Sequence, residues 1–149
     1  MNWLYRNRPK EIDADVLRFQ DDYEKWVVII GKVYEKPYEI YIGLLENFPI
    51  PENVNRGKVL KEKTEPEILK CYFKFKPNKF NGAKTESLLI TDTFGKIRNL
   101  SILISGLIQC EMPFEEIIKT IKSLEFDFDP KNLWKKEFVR TLEDYFDRF

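Results

Sequence analysis

The sequence predicts an α+β fold in one domain over residues 1–149: an antiparallel sheet of about five to six strands followed by three C-terminal helices packed on it. Three observations carry this. Between residues 12 and 94 apolar residues alternate or run in β-branched blocks, whereas from residue 96 to 149 they recur at helical spacing. Nothing resembling a repeat, a low-complexity tract or a long linker divides the chain, and 149 residues are enough for one core without metals or disulfides. Hydrophobic residues make up 43% and charged residues 34%, so burial can offset the conformational entropy of folding and the whole chain is expected to be ordered.

"WVVIIGKV", Trp26 to Val33, is a continuous β-branched run, as in a strand covered on both faces. "PYEIYIGLL", Pro37 to Leu45, follows after a tight Tyr34-Glu35-Lys36 connection, and the two are expected to form a hairpin at the sheet centre. "FPIPENVNRGK" is rich in Pro and Asn and reads as a surface loop turning into the strand "KVLKEK". After a Glu65-Pro66 turn, "ILKCYFKFK" alternates strictly, with Leu69, Cys71, Phe73 and Phe75 on one face and Lys70, Tyr72, Lys74 and Lys76 on the other. A loop with an Asn81-Gly82 turn then leads to a short strand in "ESLLITDTF".

Leu100, Leu103, Ile104, Leu107 and Ile108 mark the first helix, with Ser101, Ser105 and Gly106 as small residues that let another element approach. Pro113 stops that helix and suits the start of the next, where Glu115 and Glu116 complement the N-terminal dipole and Glu115 is spaced to pair with Lys119. Phe114, Ile117, Ile118, Ile121 and Leu124 form the apolar stripe of this second helix. The third opens with Asp129 as N-cap and Pro130 as its first residue, and carries Trp134, Phe138, Leu142, Tyr145 and Phe149 on one side.

The composition narrows the chemistry. There is no histidine, which removes the commonest general base, the Ser-His and Cys-His nucleophiles and nearly all zinc sites. Cys71 and Cys110 lie far apart in apolar contexts and are expected to be buried, reduced thiols. With 25 basic and 25 acidic residues the formal charge is zero, so overall steering toward nucleic acid or a membrane surface is not expected. No apolar run approaches the ~20 residues of a bilayer span, and a cytoplasmic protein without membrane association is expected.

Locally the balance tips. From Arg56 to Lys84 there are nine Lys or Arg (Arg56, Lys58, Lys61, Lys63, Lys70, Lys74, Lys76, Lys79 and Lys84) against Glu62, Glu65 and Glu67. Lys58, Lys61, Lys70, Lys74 and Lys76 around Tyr72 form a candidate anion or nucleic-acid face, able to grip phosphates while the ring stacks on a base of a single strand. Lysines on such a strand serve equally well to keep it soluble and unpaired. Asp127, Asp129, Glu143, Asp144 and Asp147 match no calcium-loop spacing and read as capping and solvated residues. The glycines fit no phosphate-binding loop, and the Asn99-Leu100-Ser101 triplet opens a core helix, so neither assigns a site.

"LISGLIQCEMPFEEIIKTIKSL", Leu103 to Leu124, resembles the helical part of the C-terminal, TSCPD-type domain of adenosylcobalamin-dependent (class II) ribonucleotide reductases. "RPKEIDADVLRF" and "EKWVVIIGKVYEKPYEIYIGL" resemble the entry to the same domain in the same order, so the likeness runs from Arg8 to about Leu124, with the last helix as its continuation. The marker positions are Trp26, Pro37, Tyr38, Glu39, Ile40, Ile104, Ser105, Gly106, Pro113 and Glu116. The resemblance implies an accessory domain in deoxyribonucleotide synthesis, non-catalytic by itself, with a reductase catalytic chain or domain as partner. Adenosylcobalamin would belong to that catalytic barrel, with no cofactor, metal or catalytic residue in this chain. Cys71 and Cys110 match none of the family's redox motifs and take no catalytic role.

Overall fold

The computed structural model describes residues 8–64, 68–77, 84–90 and 97–149. In chain order its elements are β1 (Glu11–Gln20), β2 (Lys25–Val33), β3 (Lys36–Leu44), β4 (Arg56–Thr64), β5 (Ile68–Phe75) and β6 (Glu86–Leu89), then α1 (Arg98–Gln109), α2 (Phe114–Ser123) and α3 (Leu133–Phe146). All strand pairings are antiparallel, in the order β3-β2-β1-β4-β5-β6. The α+β class, the strands followed by helices, and the one-sided placement of the helices are those expected. The Glu65-Pro66 and Asn81-Gly82 turns, Lys79 and the end of "ESLLITDTF" lie outside the described residues.

The expected central hairpin is instead at an edge. β2 and β3 do pair, but β1 and β4 occupy the centre and β3 is an outer strand. β1 is masked in the sequence by Glu11, Asp13 and Asp15 on one of its faces. Each carboxylate is met by a lysine from a different strand: Lys74 at 3.3 Å from Glu11, Lys58 at 3.8 Å from Asp13 and Lys32 at 3.1 Å from Asp15. The β2–β3 connection is a two-residue turn with Tyr34 at φ 51° and Glu35 at φ 64°, the left-handed conformation that matches the twist of the flanking strands.

The sheet is buried on both faces, which is why β2 reads as an unbroken apolar run. Over β1–β3 on one face, Phe19, Trp26, Val28, Ile30, Ile40 and Ile42 pack against Ile104, Ile117, Ile121, Trp134, Phe138 and Tyr145 of the helices. On the other face Ile12, Val16, Ile29, Val59 and Phe73 lie with Phe48, Ile50 and Val54 of the segment between β3 and β4. That segment is therefore a cover for the core and not the surface loop its prolines and asparagines indicate. Arg18 holds it, donating from Nη2 to the carbonyls of Pro51 at 2.8 Å and Val54 at 2.7 Å.

α1 ends in a Schellman motif: Met112 N–H donates to Leu107 O at 3.1 Å and Glu111 N–H to Ile108 O at 2.9 Å, with Glu111 at φ 61°. Pro113 precedes α2 at its N-cap position. The ion pair on α2 joins Lys119 to Glu116 at 3.4 Å and not to Glu115. α3 starts later than expected because Asn132 adopts φ 59°; Asp129 still caps it from upstream, accepting from Trp134 N–H at 3.0 Å and Lys135 N–H at 2.9 Å. Trp134, Phe138, Leu142 and Tyr145 are buried as expected, whereas Phe149 lies beyond the helix and is 46% exposed. Cys71 is buried, but Cys110, at the α1 C-cap, is exposed, because helical spacing puts it on the outward side with Leu103 and Gly106.

Candidate interaction surface

The described helices lie over β1–β3, and among the described residues the same face of β4–β6 carries polar side chains. Register pairs Lys58 with Lys74, Leu60 with Tyr72, Glu62 with Lys70 and Tyr72 with Leu89, which puts Lys58, Lys70, Tyr72 and Lys74 on one face as alternation predicts. Lys76 lies just past the end of β5 and is exposed. Two features run against the expected lysine face, the first already implied by strand alternation between positions 58 and 61 and the second dependent on sheet order. Lys61 pairs with Cys71 in register and therefore points to the opposite face, where its Nζ is 3.6 Å from Glu39 Oε2. Lys58 and Lys74 are compensated by Asp13 and Glu11, acids distant in sequence that the sheet order brings next to β4. The local excess of cations is thus reduced where the ridge of half-buried Leu60, Tyr72 and Leu89 crosses the sheet.

The marker residues join α1 to the edge of the sheet. Ser105 Oγ accepts from Ile40 N–H at 3.0 Å and donates to Ile40 O at 3.3 Å, and Gln109 Nε2 donates to Tyr38 O at 3.3 Å. Two helix side chains thereby stand in for the neighbouring strand that edge strand β3 lacks. Ile104 is fully buried beneath this seam. Trp26 stacks at 6.2 Å on Phe19 and meets Trp134 edge-on at 5.6 Å, tying β2 to α3. Glu39, 2% exposed, points to the opposite face, where Arg8 Nε and the Tyr41 hydroxyl donate to its carboxylate and Lys61 stands nearby. Gly31 makes room there: a Cβ at that position would come within 2.7 Å of Ile12 Cδ1 and 3.0 Å of Glu39 Cγ. Burial raises the Cys71 thiol pKa above its ordinary value, with Lys61 acting weakly in the other direction, so this thiol is poorly suited to nucleophilic work.

A groove of about 620 Å³ opens between the β2–β3 turn and the α1–α2 turn. Its walls include Tyr34, Lys36, Tyr38, Met112, Phe114 and Phe149. Tyr34 is 75% exposed, and with Phe149 it offers large apolar area at little entropic cost. The volume lies in the range of ligand and side-chain clefts. Sequence patterning gave no sign of the groove, because it depends on two turns distant in the chain. Among the described residues no group of three His, Cys, Asp or Glu gathers in a metal-binding cluster, and no helix is long and apolar enough to cross a membrane.

A family model described as the NrdJ homologue C-terminal domain matches residues 12–147, nearly the whole chain and, but for Glu11, every described element on which this surface is built. The chain belongs to that family. The match bears out the likeness to the C-terminal, class II reductase-type domain and extends it through α3, so the Trp134 helix is part of the NrdJ-related domain. It ties the chain to ribonucleotide reductase. No curated protein and no solved structure matches the chain.

Proposed function

We propose that this NrdJ-related domain is an accessory part of an adenosylcobalamin-dependent ribonucleotide reductase, non-catalytic by itself, that acts in the cytoplasm by packing on the catalytic chain or domain. The observation that carries the reading is the family match across residues 12–147. The groove between the β2–β3 turn and the α1–α2 turn supports a docking role, because Tyr34 and Phe149 leave aromatic anchors exposed beside a cleft. The thiols fit a non-catalytic role: Cys71 is buried with its pKa raised, and Cys110 stands apart from it at a helix end. Cobalamin and the radical chemistry would then belong to the partner, and this chain would position or stabilise it.

The test is ribonucleotide reduction by a class II catalytic part assayed with and without this chain. Activity or stability of the catalytic part that rises with added chain, and falls back with Tyr34→Asp and Phe149→Asp, is expected. Equal activity at every ratio of the two proteins would refute the proposal. The single-stranded nucleic-acid reading of the lysine face is not favoured by the geometry, since Lys58 and Lys74 are compensated and Lys61 faces away.

A further inference from the structure

Among the described residues four non-glycine positions have a left-handed backbone: Tyr34 (φ 51°), Glu35 (φ 64°), Glu111 (φ 61°) and Asn132 (φ 59°). Asparagine takes this conformation readily, whereas the Cβ of a tyrosine or glutamate is crowded against its own carbonyl oxygen, so that glycine would be more stable there. The three crowded residues are gathered at one place. Tyr34 and Glu111 stand on opposite walls of the groove of about 620 Å³, and Glu35 lies between Tyr34 and Lys36, which also lines it. Local structure does not call for these side chains. Tyr34 and Glu35 occupy the hairpin positions where Asn-Gly is favoured, and Glu111 the position after a helix where glycine is favoured. All three are exposed, so burial does not offset the strain, and strained residues gathered at a cleft point to a role in binding.

We infer that Tyr34, Glu35 and Glu111 are the residues that recognise the reductase catalytic part, and that the element they receive presents an arginine or lysine among apolar side chains. The inference rests on the docking role proposed above and adds which residues read the partner and by what chemistry. The apolar requirement comes from Tyr38, Met112, Phe114 and Phe149, which give the groove its aromatic and thioether surface. The cation comes from the β2–β3 turn. Glu111 already has an interaction within the chain, so its side chain is assigned to the opposite wall and not to the cation. Glu35 is exposed and has no ion pair among the described residues, and it adjoins Tyr34, which is 75% exposed. A partner cation can therefore lie on the Tyr34 ring and pair with the neighbouring carboxylate.

The experiment sets stability against binding in the same variants. Glu35→Gly and Glu111→Gly should each raise the Tm of the chain alone by about 2–4 °C, because glycine relieves the left-handed backbone. Both should nevertheless bind a class II catalytic part more weakly, by about threefold to tenfold in calorimetric Kd. Glu35→Lys should weaken binding by about tenfold or more, and wild-type binding should weaken as salt rises from about 50 mM to about 500 mM. Glycine variants that gain stability and bind as wild type does overturn this inference and leave the docking role standing. Glycine variants that lose stability overturn it too, since the wild-type residues then carry no strain. Binding indifferent to salt and to Glu35→Lys overturns the cationic partner. A wild-type chain that does not bind the catalytic part overturns the docking role and this inference with it.

Discussion

Ser105→Ala removes the hydroxyl that serves both the N–H and the carbonyl of Ile40, at 3.0 and 3.3 Å. Ile40 is 1% exposed and lies on an edge strand, so its amide has neither a strand nor bulk water to turn to. A stranded buried donor costs about 1–3 kcal/mol, and the better helix propensity of alanine returns roughly 0.5 kcal/mol. The net loss is about 0.5–2.5 kcal/mol, or roughly 1–10 °C in Tm for a domain of this size. Urea unfolding followed by tryptophan fluorescence measures the loss, and hydrogen exchange at the Ile40 amide locates it, since protection there should fall more than in central β1. Ser101→Ala on the same helix is the control. The Ser101 hydroxyl is buried without a hydrogen-bond partner, so its removal should be neutral or stabilising. Equal losses for the two serines, with Ile40 exchange unchanged, would refute the assignment of Ser105 as a substitute for the missing strand.

Asp129→Ala should destabilise the domain by about 1–2 kcal/mol in chemical denaturation, because the N–H groups of Trp134 and Lys135 lose their acceptor, while Asp127→Ala should change little. Tyr145 donates to Asp15 at 2.7 Å, and burial first, then Asp15, raise its pKa above the ordinary 10.0. Its folded pKa is raised, so its contribution to stability is full below about pH 10 and is lost as pH rises above it. The alkaline slope of stability should therefore flatten in Tyr145→Phe, as read by Tm between neutral and strongly alkaline buffers. Toward a thiol reagent in native buffer one equivalent, at Cys110, should react promptly, and Cys71 only on unfolding, which peptide mapping checks.

Much of the architecture was legible because it is written in local periodicity. The strict alternation of β5, the β-branched run of β2 and the helical spacing from Leu100 onward need only nearest neighbours in sequence to be read. What was missed depends on partners far away. β1 hides a central strand behind Glu11, Asp13 and Asp15, which become tolerable only when Lys74, Lys58 and Lys32 arrive from other strands. The segment holding Phe48, Ile50 and Val54 has loop composition, yet Arg18 fixes it as a core cover. The lysine face was placed correctly for Lys58, Lys70, Tyr72 and Lys74, but its charge could not be judged without the acids of β1. Ser105 was read as a small residue for close approach; the helical pattern gave no hint that its hydroxyl completes a strand edge. The groove lined by Tyr34 and Phe149 exists only once two distant turns meet.

The most direct measurement is titration calorimetry of this chain into the isolated catalytic part of an adenosylcobalamin-dependent ribonucleotide reductase. Saturable, stoichiometric binding that weakens with Tyr34→Asp or Phe149→Asp is expected if the domain docks through its exposed aromatics. An absence of heat at high micromolar concentrations, with no co-elution of the two proteins, would contradict the docking role.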